Sequence, residues 1–243
     1  MFLTIDAGNT RTKVSVFNHD GTIIESLITP ENQIEPILEI INRHAIDHVI
    51  ISTTGQRDWD IQSLGIAGKN IELSQDTRLP VQIVYSTPAT LGRDRIAAAC
   101  GAHALFRGQN CLVVDAGTCV TMDVLLGTGV YVGGNIAPGL RMRLTAMHEY
   151  TAKLPLVEPG WPELSFGDST LHALQNGAAL GIVMEIEGLL HRARGAFGEV
   201  SIVMTGGDAV FLAERLESQI FVTPELVAQG LFQILTFNVK NSY

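Results

Sequence analysis

Cysteine is scarce in this chain. Its 243 residues include three, Cys100, Cys111 and Cys119, an odd number with neither Cys-x-x-Cys nor metal-ligand spacing. That argues against a disulfide scaffold and against a zinc site. Cys100 and Cys111 stand among apolar neighbours and read as small buried thiols of a reducing compartment. Aromatic residues make up only 6% of the chain, while 46% is hydrophobic, a balance that suits an α/β enzyme better than a sandwich or a disordered chain. There is no lysine- or arginine-rich run, and the formal net charge is −9. Nucleic acid and anionic membranes are therefore poor partners, although a few local cations still permit a small anionic substrate. No uninterrupted apolar run is long enough to span a bilayer. The first residues read directly as a strand, with no charged leader or signal-type apolar core, so the expectation is a soluble, cytoplasmic protein. The chain has no Gly-x-x-x-x-Gly-Lys-Ser/Thr run, which excludes a P-loop, and no Gly-x-Gly-x-x-Gly after a strand, which argues against dinucleotide binding.

What is present begins at the start. Leu3-Thr4-Ile5-Asp6-Ala7-Gly8-Asn9-Thr10-Arg11-Thr12-Lys13 is an apolar run that ends in a carboxylate and passes into a small, flexible turn. Thr12, Val14 and Val16 then alternate with Lys13 and Ser15 as a second strand would. Gly8 lets the backbone approach a ligand and tolerates positive φ, so successive N–H groups can converge on an anion. Asn9, Thr10 and Thr12 add neutral donors and Lys13 a cation. Asp6 stands where it could hold a metal ion or its water against phosphates. An ordinary hairpin accounts for the same residues, because Gly and Asn make turns everywhere. The recurrence of the pattern favours the phosphate cradle. Leu112-Val113-Val114-Asp115-Ala116-Gly117-Thr118 repeats the apolar run, the Asp-Ala-Gly and the hydroxyl, and Thr121 recurs at the spacing of Thr12.

The rest of the chain falls into two halves with one order of elements. In the first, a turn at Asp20-Gly21 leads to a strand over 22–28, and Pro30 and Glu31 open a helix with Ile34, Ile37, Leu38 and Ile41 at helical spacing. A strand over 48–53 follows. Next come a polar helix-like segment starting near Arg57, Asp58 and Trp59, a strand over 81–85, and an alanine-rich helix over 94–106. In the second half, strands over 111–115, 120–126 and 131–136 are followed by a helical region over 170–194 and a strand over 201–204 ending in Thr205-Gly206-Gly207-Asp208. A short helix, a strand over 220–222 and a helix over 225–237 complete the copy. The pattern β-β-β-α-β-α-β-α, used twice, predicts an α/β fold of two mixed five-stranded sheets flanked by helices. The expected domains are residues 1–108 and 109–243, joined near Gly108.

This duplication resembles the actin, sugar kinase and chaperone ATPase superfamily, in which two ribonuclease-H-like domains hold ATP between them. Narrower motifs are similar to one family. Asp6-Ala7-Gly8-Asn9-Thr10-Arg11-Thr12-Lys13, Gly92-Arg93-Asp94-Arg95, Asp115-Ala116-Gly117-Thr118 and Gly133-Gly134-Asn135-Ile136-Ala137-Pro138-Gly139 occur in that order and resemble type III pantothenate kinase, the first enzyme of coenzyme A synthesis. The resemblance covers essentially the whole chain. It implies ATP-dependent phosphorylation of pantothenate to 4'-phosphopantothenate by a homodimer, with magnesium accompanying ATP and a monovalent cation, potassium or ammonium, also bound.

Residue by residue, the resemblance implies that the run from Asp6 to Lys13 and Thr118 contact the nucleotide. Gly206 and Gly207 would lie against adenosine, and Asp115 would be a ligand of the monovalent cation. Asp94 is the implied catalytic base, and Tyr85, Gly92, Arg93, Asp94, Arg95 and Thr170 the implied pantothenate contacts, Thr170 near a dimer interface. Position 93 departs from the family, which more often has an aliphatic residue there. Read without the family, Asp94 would cap a helix, Arg95 would be a solvated charge, and Tyr85 a half-buried strand residue. The glycines over 133–139 read as a close approach to a ligand or partner, or as a plain loop. Asp123 is given no role. The histidines show no ligand spacing, and Trp59 and Trp161 read as packing residues. Two other functions fit part of the pattern: another small-molecule phosphotransferase or phosphatase of the superfamily, and a non-catalytic nucleotide-binding regulator. Retention of Asp6, Asp94 and Asp115 counts against the second.

Overall fold

The computed structural model describes residues 1–8, 11–30, 33–54 and 58–240. In chain order the strands and helices are β1 (Phe2–Ala7), β2 (Arg11–Phe17), β3 (Ile23–Pro30), α1 (Glu35–Arg43), β4 (His48–Thr53), β5 (Asn70–Glu72), β6 (Gln82–Ile83) and α2 (Arg93–Leu105). There follow β7 (Asn110–Ala116), β8 (Cys119–Leu125), β9 (Val130–Pro138), α3 (Leu140–Glu149), α4 (Thr170–Phe197), β10 (Val200–Thr205), α5 (Ala209–Ala213), β11 (Ile220–Val222) and α6 (Leu226–Lys240). The chain divides into two compact units. The first holds Met1–Arg107, Gly129–Tyr131 and Glu225–Tyr243, and the second Gly108–Thr128 and Val132–Pro224. The fold is α/β, with two mixed sheets flanked by helices in a duplicated arrangement.

In the first unit the sheet order is β3-β2-β1-β4-β5. β1, β2 and β3 run antiparallel, whereas β4 and β5 run parallel to β1. The period-2 alternation of each strand separates two faces. Leu3, Ile5, Val14, Val16, Val49 and Ile51 pack with Ile37 and Ile40 of α1. The opposite face carries Phe2, Thr4, Asp6, Lys13, Ser15, Phe17 and Ser52. There α6 packs on β1, β2 and β4, and the Phe232 ring stacks on Phe17 at 4.8 Å. α2 lies alongside α6, and small residues bring the two backbones together. A Cβ added at Gly230 would meet the Ala97 carbonyl oxygen at 1.7 Å, and one at Gly101 the Leu226 carbonyl oxygen at 2.3 Å. The last helix thus belongs with the first 107 residues.

The second sheet repeats the scheme in the order β11-β10-β7-β8-β9-β6, six strands where five were expected. β7 and β8 are antiparallel, and β10 lies parallel to both β7 and β11. One face of this sheet, with Leu112, Val114, Val120, Met122, Ile202 and Met204, packs against Leu140 and Leu144 of α3 and Leu174, Ala178, Ile182, Ile186 and Leu190 of α4. The four-residue spacing along α4 makes one continuous buried stripe. The side chain of Ser169 caps α4 by accepting the His172 N–H, and Gly198 ends it at φ 80°.

Several expectations change. Pro30 does not open a helix; it is the last residue of β3, an edge strand, where a missing N–H is tolerated. α1 begins four residues beyond Glu31, with a proline in its first turn; Glu31 itself lies outside the described residues. The segment after Gly55 is not an α-helix at Asp58 and Trp59. Instead Asp60 caps a single 3-10 turn, Ile61–Leu64, by accepting the Gln62 N–H at 3.0 Å; Gly55 and Arg57 lie outside the described residues. The strand expected over 81–85 shrinks to two residues, and these pair with Val130 and Tyr131 rather than with β5. α3 was not expected. Its apolar residues Leu140, Leu144 and Met147 are spaced for a helix, but they are interrupted by Arg141, Arg143 and His148. The strand expected over 131–136 is β9, which runs on to Pro138 and takes in most of the glycine-rich segment; Gly139 stands at the start of α3.

Candidate active site

Three clusters hold most of the expected site residues, two in the first unit and one in the second. The first cluster is the β1–β2 turn. Asp6 pairs with Lys13 across the antiparallel ladder and with Ser52 across the parallel one, so the carboxylate, the cation and the hydroxyl share a face. Gly8 N–H donates to the Arg11 carbonyl at 3.1 Å and closes the turn, and Thr54 N–H holds the Ala7 carbonyl at 3.0 Å. Arg11 is exposed. Thr12 pairs with Ala7 on the other face, where its side chain is buried. Asn9 and Thr10 lie outside the described residues.

The second cluster is the start of α2. Gly92 precedes the helix with φ −54° and ψ 135° and accepts the Ile96 N–H at 3.1 Å. Asp94 stands in the first turn, where a carboxylate complements the positive end of the helix, and its Oδ1 accepts the Arg95 N–H at 2.8 Å. A Cβ at position 92 would come within 2.5 Å of that Oδ1, so the absent side chain is what lets the carboxylate fold back over the turn. Arg95 is not a solvated charge. It is 5% exposed, and burying a guanidinium is costly unless it is paired. Arg93 turns back on its own loop, donating from Nη1 to the Leu91 carbonyl at 3.1 Å. Tyr85 is half-buried, its ring edge-on to that of Tyr131 at 6.2 Å.

The third cluster is the β7–β8 turn. Asp115 pairs with Thr121 on one side and Thr205 on the other. Thr121 therefore corresponds in the sheet to Lys13 and not to Thr12, because the second turn is one residue shorter and its register differs by one. A one-residue change moves a side chain to the opposite face. Thr118 is exposed at the tip. Gly117 N–H closes the turn on the Cys119 carbonyl at 3.0 Å, Gly139 N–H reaches the Thr118 carbonyl at 3.1 Å, and Asp208 N–H the Ala116 carbonyl at 3.0 Å. Gly134 presses on buried Asp123 within the same unit. Burial raises the pKa of Asp208 against the opposing influence of Arg141. Asp208, adjacent to the expected glycine pair, is the polar residue of this cluster that sequence reading did not single out. Thr170 is exposed and opens α4.

Gly206 has φ 98°, and a Cβ there would meet the Ala116 carbonyl group at 2.5 Å and Asp115 Oδ1 at 2.6 Å. At Gly207 the same atom would meet nothing within 4 Å. Gly206→Ala is therefore expected to lower stability by about 2 kcal/mol through backbone strain and overpacking. Gly207→Ala is expected to leave the melting temperature within about a degree. Parallel thermal melts check the contrast.

Among the described residues no group of three or more His, Cys, Asp or Glu side chains is placed to hold a metal ion. No helix among them is long and apolar enough to cross a membrane.

Residues 2–192 match the family model described as type III pantothenate kinase. The chain is 37% identical to the type III pantothenate kinase of Flavobacterium johnsoniae over 99% of its own length and 100% of that protein. It is 35% identical to that of Porphyromonas gingivalis strain ATCC 33277 over 98% of each. Among solved structures, the activator of 2-hydroxyisocaproyl-CoA dehydratase from Clostridium difficile, with bound ADPNP, aligns with a TM-score of 0.58. It is 14% identical and covers 99% of this chain and 96% of that one. Ethanolamine utilization protein EutJ from Carboxydothermus hydrogenoformans aligns at 0.54, with 11% identity over 96% and 89%. These two likenesses concern the fold alone.

Proposed function

The chain belongs to the type III pantothenate kinase family, and from that premise we propose how its residues divide the work of the reaction. The enzyme transfers the γ-phosphoryl group of ATP to the primary hydroxyl of pantothenate, the first step of coenzyme A synthesis. The observation that carries the assignment of roles is the posture of Asp94. Its Oδ1 is fixed by the Arg95 N–H and by the room that Gly92 leaves, which leaves Oδ2 for the substrate. The pantothenate oxygen attacks the γ-phosphorus, the bond from that phosphorus to the β,γ-bridging oxygen breaks, ADP departs, and the hydroxyl proton passes to Asp94. Such a transfer needs alignment and charge stabilisation more than covalent help, and one carboxylate within hydrogen-bond reach suffices as base. Buried Arg95 draws the carboxylate of pantothenate to this end of α2, with Tyr85 and Arg93 beside it.

The β1–β2 turn, from Asp6 to Lys13, and the β7–β8 turn, with Thr118, take the triphosphate, and Gly206 and Gly207 take adenosine. Magnesium travels with ATP and neutralises phosphate charge; Asp6 would hold it through water. Asp115 suits a monovalent cation, potassium or ammonium, because its Oδ1 and the Ala116 carbonyl oxygen both border the space beside Gly206, and such hard oxygens are what these ions take. Thr170, exposed at the head of α4, serves pantothenate bound near the interface of a homodimer. The free thiols of Cys100, Cys111 and Cys119 support work in the reducing cytoplasm.

Phosphopantothenate formation from ATP and pantothenate with magnesium, measured with and without potassium, tests this reading. Turnover that rises at least tenfold with potassium or ammonium and is lost in Asp115→Ala is expected. Equal turnover without either ion would remove the cation from the scheme. No turnover by a folded, ATP-binding protein would remove pantothenate from it.

A further inference from the structure

Two hydroxyls at the end of β4 break the rule that buried polar atoms find partners. Ser52 Oγ and Thr53 Oγ1 are buried without a hydrogen-bond partner among the described residues, and Ser52 as a whole is 0% exposed. An orphaned hydroxyl of this kind lowers stability, so its position invites a reason. Ser52 is the parallel register partner of Asp6. Paired residues on neighbouring strands point to the same face, and the strands lie about 4.8 Å apart. Two short side chains at that spacing on one face are able to reach one another. Thr53 pairs with Ala7 and so points to the opposite face.

We propose that Ser52 is a positioning residue for Asp6. Its hydroxyl, unbonded in the free protein, donates to the Asp6 carboxylate when that group turns to hold the water of magnesium on the bound nucleotide. The hydrogen bond fixes which oxygen faces the metal, and the unfavourable orphan of the free state is relieved on binding. The inference rests on the nucleotide reading of the β1–β2 turn. Thr53, an orphan of the same kind on the wrong face, is the internal control.

The test uses the full chain, a non-hydrolysable ATP analogue and a magnesium titration followed by thermal shift, with wild type, Ser52→Ala, Thr53→Val and Asp6→Asn in parallel. Ser52→Ala is expected to raise the melting temperature of the free protein by about 2–4 °C while moving the magnesium midpoint about five- to tenfold upward. Thr53→Val is expected to raise the melting temperature with no change in midpoint. An unchanged midpoint in Ser52→Ala, with wild type responding and Asp6→Asn not, would overturn the role of Ser52 and leave the nucleotide site intact. A lower melting temperature in free Ser52→Ala would also overturn it, since the hydroxyl would then be bonded already. If the wild type shows no magnesium-dependent stabilisation by the analogue, or Asp6→Asn responds as wild type does, the nucleotide assignment of this turn falls and the role of Ser52 with it.

Discussion

Replacing Asp94 by asparagine is expected to lower kcat for pantothenate phosphorylation on the order of a thousandfold, within the range of about 10²–10⁴ that a positioned general base supplies. The substitution is nearly isosteric. The amide oxygen can still accept the Arg95 N–H that now reaches Oδ1 at 2.8 Å, and Gly92 still leaves room beneath it. Fold and ATP affinity should therefore match the wild type, and the loss should fall on the chemical step. Initial rates of phosphopantothenate formation, with calorimetric ATP binding and a thermal melt on the same samples, read all three. A fall in kcat below tenfold would move the base to another group.

The second large effect concerns stability. Gly230→Ala places a methyl 1.7 Å from the Ala97 carbonyl oxygen. Inside an exposed helix the exchange of glycine for alanine gains about 1 kcal/mol. Here the obstacle is backbone of a neighbouring helix, which cannot step aside as a flexible side chain would. Overpacking commonly costs about 1–3 kcal/mol and occasionally more, and so close an approach belongs at the upper end. A net loss of about 2–3 kcal/mol is expected, seen as an earlier midpoint in urea. Gly188→Ala in α4, where the added atom meets nothing within 4 Å, should shift the midpoint the other way. If both variants move together, the close crossing of α2 and α6 does not govern stability.

Much of this fold was legible because its signals are periodic. The apolar alternation of β1 and β2 and the β-branched run of β4 located those strands, and the repeated Asp-Ala-Gly exposed the duplication that organises both sheets. What escaped depends on partners distant in the chain. β6 owes its existence to Val130 and Tyr131 rather than to its own two residues. Pro30 resembled a helix start because proline favours first turns, yet an edge strand accommodates it as well. Arg95 was read from its charge, and nothing local in a sequence reports that a guanidinium is enclosed. Gly92 and Gly206 were expected to lie against ligands; nothing local in the sequence reports that the protein atoms crowding these two positions include the Asp94 and Asp115 carboxylates. Thr121 shows the limit of counting residues: its spacing from Asp115 is that of Thr12 from Asp6, and a shorter turn gives it the place of Lys13.

The return of α6 to the first unit also bears on how the molecule is made. The sheet face that carries Phe2, Phe17 and Ser52 is covered by residues 226–240. On the ribosome, with chain emerging at about 5–20 residues per second, β1 to β5 are available well before that cover is synthesised. The second unit, by contrast, is closed by residue 224. The half that begins first is therefore completed last, and until α6 emerges the rings of Phe2 and Phe17 lack the cover that Phe232 gives them.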